Sequence, residues 1–208
     1  FMTVDLSAFY FDIRKDSLYC DAWSDIRRRS CRTVLDQLFH CLTTWWAPVL
    51  AFTMDEVWLS RIPGEGSSVH LLQFARCPDD GAAPIDTETQ IQAVGLISKT
   101  MKDVPQRQRI LAARNRHKDL LAVLDGVDLA EISITSGATL IAGEGPADAF
   151  RLDQVKGVAV VFKPAQGQKC ARSWKITPEV GRDPDFPDIT PRDAEAVREW
   201  QTRFGKTV

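Results

Sequence analysis

The sequence predicts an α+β fold that is mostly α: a helical bundle followed by a small mixed α/β module. Three observations point there. Apolar residues recur at spacings of three and four through roughly the first 60 positions, the period of one helical face. After about residue 126 the pattern turns to alternation and β-branched runs, with turn chemistry between them. At 208 residues, 44% hydrophobic and 26% charged, the chain can bury a proper core and has an ordinary globular composition. The expected domains are a helical bundle over 1–76, a linker over 77–86, a basic helical segment over 87–125 and an α+β module over 126–208.

Taken in order, Leu6, Phe9, Tyr10 and Ile13 lie on one helical face, and Leu18 extends it. The opening Phe1-Met2-Thr3-Val4 carries no cap or turn signal and reads as a start inside a longer protein. After a break near Asp21, Ser24 or Asp25 can cap a long second helix whose stripe is Cys31, Val34, Leu35, Leu38, Phe39, Leu42 and Trp45. On another side of it Asp25, Arg28, Arg32 and Asp36 recur at three and four. That row is either a solvated face laced with ion pairs or, with Arg27 and Arg29, a set of phosphate contacts.

Pro48 suits the first turn of a third helix, which would turn Val49, Leu50, Phe52, Met54, Val57 and Trp58 to the core. Glycines and serines from Gly64 to Ser68 close the bundle, His70 to Phe74 is a short extended segment, and Cys77 to Pro84 is linker. Ile91, Val94, Ile97 and Met101 restore helical spacing until Pro105 interrupts it. Lys99, Lys102, Arg107, Arg109, Arg114, Arg116 and Lys118 make this the most basic stretch. A solvated helix surface and an RNA contact explain it equally well.

The module opens with a β-hairpin: Ile132 and Ile134 alternate with polar residues, Ser136-Gly137 turns, and Leu140-Ile141 returns. Val155 to Phe162 is a further strand. Thr190-Pro191 then caps a final short helix with Ala194, Val197 and Trp200 on one side.

Composition excludes several classes. The net charge of −2 confines any nucleic-acid contact to local patches. No apolar run approaches the roughly 18 residues of a membrane span. The five cysteines are odd in number and lack framework spacing, so they read as thiols of a reducing compartment, the cytoplasm. No glycine-rich phosphate loop occurs. His40, His70 and His117 are scattered, and His40, beside an apolar stripe, reads as structural.

Several segments together resemble one family. DLSAFYFDIRKDSLYCD (Asp5–Asp21), RRRSCRTVLDQL and WAPVLAFTMDEVW are similar to the anticodon-binding bundle of bacterial isoleucyl-tRNA synthetases. DLAEISITSG, GEGPADAFRLDQVKGVAVVF and KCARSWKITPEVG (Lys169–Gly181) look like the C-terminal module of the same enzymes. The resemblance implies an anticodon-binding type of bundle and a zinc-ribbon-like knuckle. It also implies a fragment that holds tRNA(Ile) but catalyses nothing itself. The His-x-Gly-His and Lys-Met-Ser-Lys-Ser-like signatures of adenylate chemistry are missing. Ligation of isoleucine, with ATP and Mg, would belong to the remaining synthetase domains in cis. A monomer is expected, with no membrane partner.

In zinc-bearing relatives the knuckle holds two Cys-x-x-Cys pairs. Here those positions read Cys170, Ser173, Thr190 and Asp193, so one thiolate of four remains. The expectation is no zinc and no other cofactor, with the ribbon held by packing of Trp174, Ile176, Val180 and Ile189. The resemblance implies that Arg172 and Trp174 approach the anticodon loop, a guanidinium for phosphate or base edge and an indole for stacking. Lys15, Arg28, Arg29 and Arg32 follow as RNA-contact candidates, and Lys99, Lys102 and Arg107 after them. Two other readings stay open: a free-standing helical adaptor that binds protein and no RNA, and a small enzyme using acids such as Asp55-Glu56.

Overall fold

The computed structural model describes residues 1–76, 109–115, 126–151 and 158–205. The chain divides into two compact units, one of Phe1–Asp25 with Ala83–Val208 and one of Ile26–Ala82. None of the described helices is long and apolar enough to cross a membrane.

The first unit opens with a π-helical segment, Met2–Phe11, in which Leu6 N donates five residues back to Phe1 O at 3.0 Å. The wider pitch then tightens into α1 (Asp12–Cys20). The expected single α-helix is thus two pitches in series, and Leu6 and Ile13 are buried across the join. Asp21 ends α1 in an extended conformation, its carboxylate accepting from Ser17 Oγ at 2.9 Å. Met2–Cys20, which sequence groups with the helices that follow it, lies in this unit. Arg14 ties it there through a two-oxygen bridge to Glu131, and Asp16 through Lys175 and Arg192.

The second unit is α2 (Ile26–Trp46), α3 (Ala51–Arg61) and a 3₁₀ turn at Val69–Leu71. Its core is Ala47, Trp58 and Val69, with Phe39, Met54, Leu59 and Ile62 against it. Phe39 stacks on Trp58 at 5.9 Å, and the His40 ring meets the same indole edge-on, the structural place expected of it. Trp58 Nε1 donates to Ser67 Oγ, which in turn donates a hydrogen bond to Ile62 O, so the indole is buried without an orphaned N–H. The Asp55 carboxylate accepts from Ser68 Oγ and Val69 N, and these bonds hold its pKa below the ordinary value. That acid closes a turn.

Two sequence readings are corrected in this unit. On α2, Val34 and Trp45 are exposed, while Cys41, Thr43 and Thr44 are buried. The threonines can go inside because their hydroxyls bond the carbonyls of Phe39 and His40 one turn back. The third helix starts at Ala51, three residues past Pro48, and its inward row is Met54, Trp58 and Ile62 at steps of four. Val49, Leu50 and Phe52 lie off that row and are exposed, Phe52 at 93%. The segment from His70 begins inside the 3₁₀ turn and becomes extended at Leu72.

The rest of the first unit is built on a three-stranded sheet. β1 (Arg109–Asn115) is central, with β2 (Gly137–Ala142) parallel on one edge and β3 (Val158–Pro164) antiparallel on the other. Ala112 faces Thr139 on one side and Val161 on the other. The expected linker over 77–86 and most of the basic helical segment expected over 87–125 lie outside the described residues; within that segment, residues 109–115 are a strand. Its helix-forming composition yields to ladders of backbone bonds on both edges. The expected hairpin is also replaced. Its first arm is a one-turn helix, α4 (Leu129–Ile132), capped by Asp128, whose carboxylate accepts from Glu131 N at 3.0 Å. Leu129 and Val160 form the core here, with Phe9, Ile132, Leu140 and Phe162 packed on them.

A two-stranded ribbon, β4 (Gln168–Lys169) with β5 (Ile176–Thr177), leads to α5 (Pro191–Phe204). Gly167 before the ribbon has φ +109, and a Cβ there would meet the Thr177 carbonyl carbon at 2.2 Å, so only glycine fits. The last helix follows its sequence signals: Thr190 at the N-cap, Pro191 in the first turn, Ala194 and Val197 buried, and Gly205 left-handed at the end.

Candidate nucleic-acid interface

The turn between β4 and β5 and helix α1, together with α4 and the turn that follows it to Ser136, line a cleft of about 350 Å³. Lys15, Asp16 and Tyr19 line it from α1, and Arg172, Trp174 and Lys175 from the β4–β5 turn. Arg172 reaches across: its Nη2 donates to Tyr19 O at 2.7 Å, and its own carbonyl accepts from Cys20 Sγ at 3.7 Å. A guanidinium on a carbonyl of the last turn suits the negative end of the helix. Arg172 Nε is buried and has no partner among the described residues.

Trp174 has φ +63, the left-handed region that bulky side chains rarely occupy. The turn holds it there with Trp174 N donating to Cys170 O at 3.0 Å. The indole is 53% exposed, and Lys169 Nζ sits 5.1 Å from its ring centroid. A strained backbone that presents an exposed aromatic is poorly explained by packing. The expectation that Trp174, Ile176, Val180 and Ile189 hold the ribbon by packing is corrected accordingly. Val180 is buried, Ile176 and Ile189 are half-buried, and Trp174 faces outward.

Charges around the cleft are matched in pairs. Lys15 bridges Asp12 at 2.6 Å, Lys175 bridges Asp16 at 2.9 Å, and Arg14 bridges Glu131 at 3.0 Å. Arg192 binds both oxygens of Asp16 and reaches Asp21 at 3.2 Å. Burial alone would raise the pKa of Asp16, but Arg192 and Lys175 overcome it and hold the carboxyl at about 2. Burial opposes the charge of Arg192 too, and its three acids keep its pKa above the usual value. The Cys20 thiol is pushed up to about 12, first by burial and then by Asp16 and Asp193. With Lys15, Asp16 and Lys175 paired, Arg172 on a carbonyl and an exposed tryptophan at its edge, the cleft suits a planar group with a polar rim.

Behind the turn the four residues at the aligned metal positions touch one another. Cys170 Sγ donates to Asp193 Oδ2 at 3.1 Å, Thr190 Oγ1 donates to the same oxygen at 2.7 Å, and Ser173 N donates to Cys170 Sγ at 3.5 Å. Among the described residues no three His, Cys, Asp or Glu side chains form a group that could hold a metal ion.

The structure thus brings Lys15, Arg172 and Trp174 to one cleft. Arg28, Arg29 and Arg32 lie on α2 in the second unit, Arg28 half-buried and the other two exposed. Asp36 of the same helix pairs with Arg61, whose guanidinium lies 4.6 Å from the Phe39 ring centroid. Lys99, Lys102 and Arg107 lie outside the described residues. Sequence reasoning missed Tyr19, which lines the cleft and is 72% exposed. Its position off the apolar spacing at the end of a helical run was the available signal.

Residues 1–120 match the family model for the anticodon-binding domain of tRNA ligase. Curated relatives match nearly the whole chain. The isoleucine–tRNA ligase of Agrobacterium fabrum is 49% identical over 210 residues, covering 96% of this chain and 22% of the relative. That of Ruegeria pomeroyi is 48% identical over 192 residues, 88% of this chain and 20% of the relative. The Bradyrhizobium diazoefficiens enzyme is 45% identical over 213 residues, 97% of this chain and 21% of the relative. The chain spans about a fifth of the length of these proteins. Arg172 and Trp174 lie beyond the family-model match.

Proposed function

The chain belongs to the family of anticodon-binding domains of tRNA ligases, and on that premise we propose that it holds the anticodon end of tRNA(Ile). The parent would be an isoleucine–tRNA ligase, in which ATP, Mg and the ligation chemistry belong to domains in cis, acting as a monomer in the cytoplasm. The observation that carries this reading is Trp174, exposed in a left-handed turn and lining one cleft with Arg172 and Tyr19. An unstacked anticodon base lies on the indole, and the arginine donates to its edge or to its phosphate. Lys15 on α1 and Arg28, Arg29 and Arg32 on α2 supply backbone contacts, joined by Lys99, Lys102 and Arg107. The turn from Lys169 to Asp193 is a zinc-ribbon-like knuckle in degenerate form.

Competition between RNA pieces tests the proposal. The chain is mixed with labelled tRNA(Ile) transcript and challenged with its anticodon stem-loop or with its acceptor-stem minihelix. Displacement by the stem-loop and not by the minihelix is expected. The reverse order contradicts it.

A further inference from the structure

The four positions where zinc-bearing relatives place cysteines are filled in a way that excludes the ion, and we infer that an Arg192–Asp193 pair does the structural work of a metal. Cys170, Ser173, Thr190 and Asp193 provide one thiol, two hydroxyls and one carboxylate, and neutral hydroxyls are poor zinc ligands. Spacing is the second argument. Ligand atoms about 2.0–2.3 Å from a tetrahedral zinc lie roughly 3.3 Å or more from one another. Here Thr190 Oγ1 is 2.7 Å and Cys170 Sγ 3.1 Å from the same Asp193 oxygen, the separations of hydrogen bonds.

Charge is the third argument. Arg192 Nη2 lies 3.1 Å from Asp193 Oδ1, so a fixed cation already occupies the neighbourhood. Asp193 is fully buried, and the side-chain groups around it all donate: the Cys170 thiol, the Thr190 hydroxyl and the guanidinium. A buried carboxylate is stable when saturated in this way. The same guanidinium binds Asp16 and Asp21. Together the two neighbours at the start of α5 reach both sides: Asp193 holds Cys170 of the knuckle, and Arg192 holds Asp16 and Asp21 of α1 and its end. A zinc ion would join only its four ligands. Ser173 Oγ, buried and without a partner among the described residues, is the one group of the four that this cluster leaves unused.

This inference stands whether or not the chain binds RNA. Its test is metal content and melting temperature of the whole chain, as purified and after dialysis against zinc chloride. Less than a tenth of a zinc per chain is expected, and a chelator leaves the melting temperature unchanged. Asp193→Asn strands a buried guanidinium contact and two donors and is expected to lower the melting temperature by roughly 10 °C, or to prevent folding. Asp185→Asn, an exposed acid of the same module, serves as the control and stays within about 2 °C of the parent. Zinc near one per chain that survives dialysis, a chelator-induced loss of stability, or an Asp193→Asn chain that melts with the parent each overturns the inference.

Discussion

Replacing Trp174 separates binding from stability, because the residue is exposed at the cleft edge. A base stacked on an aromatic ring contributes about 1–3 kcal/mol, so Trp174→Ala is expected to weaken binding of tRNA(Ile) roughly 5- to 150-fold. The cost to folding is small. Trp174 is half exposed, and one contact it gives up within the chain is the Lys169 cation, about 0.5–1 kcal/mol at an exposed site. Trp174→Gly goes further, because a left-handed residue other than glycine costs about 1–2 kcal/mol that glycine does not. That relief offsets the lost contact, and the glycine variant should melt within a few degrees of the parent while binding no better than the alanine variant. Fluorescence anisotropy on a labelled transcript reads the first quantity and calorimetry the second. A core tryptophan behaves otherwise: its truncation costs about 3–5 kcal/mol, a loss of roughly 6–20 °C. If both variants lose that much stability, or if neither loses affinity, the stacking role is wrong.

Other expectations follow from the same contacts. Asp16 has its pKa lowered from 3.8 to about 2, so the stability it contributes, about 2 kcal/mol, is complete above pH 4 and is lost as pH falls from about 4 to 2. Urea titrations at a series of pH values should show that loss in the parent, and Asp16→Asn should already lack the contribution at pH 7. Cys20, with its pKa pushed to about 12, should react with a thiol reagent at pH 8 more than about a hundredfold more slowly than an unstructured cysteine, read by mass mapping of the labelled peptides. Trp58→Ala in the second unit removes the ring on which Phe39 and His40 pack and should cost about 3–5 kcal/mol by denaturant unfolding.

Where local chemistry decides the structure, it was legible in the sequence. Thr190-Pro191 marked the start of α5 because the cap and the first turn are made by those residues alone. The run Val155 to Phe162 was legible as a strand, observed at Val158–Pro164, because β-branched residues in series suit a pleated, half-buried surface. Arg109–Asn115 was not, because Arg, Leu and Ala favour helix and only the two flanking strands make it β. The inward row of α3 was likewise set by the position of Phe39 on another helix, which spacing within α3 does not reveal. At the candidate site Arg172 and Trp174 were found through resemblance. The left-handed backbone of Trp174 is written nowhere in its residue type, and the pairing of Arg172 with Tyr19 spans 153 positions.

The most direct test compares the affinity of this chain for tRNA(Ile) transcript and for the same transcript with a changed anticodon, across a salt series. Tighter binding of the native anticodon is expected, with an advantage that shrinks in Trp174→Ala and an affinity that falls steeply as salt rises. Equal affinity for the two transcripts at every salt concentration contradicts that expectation.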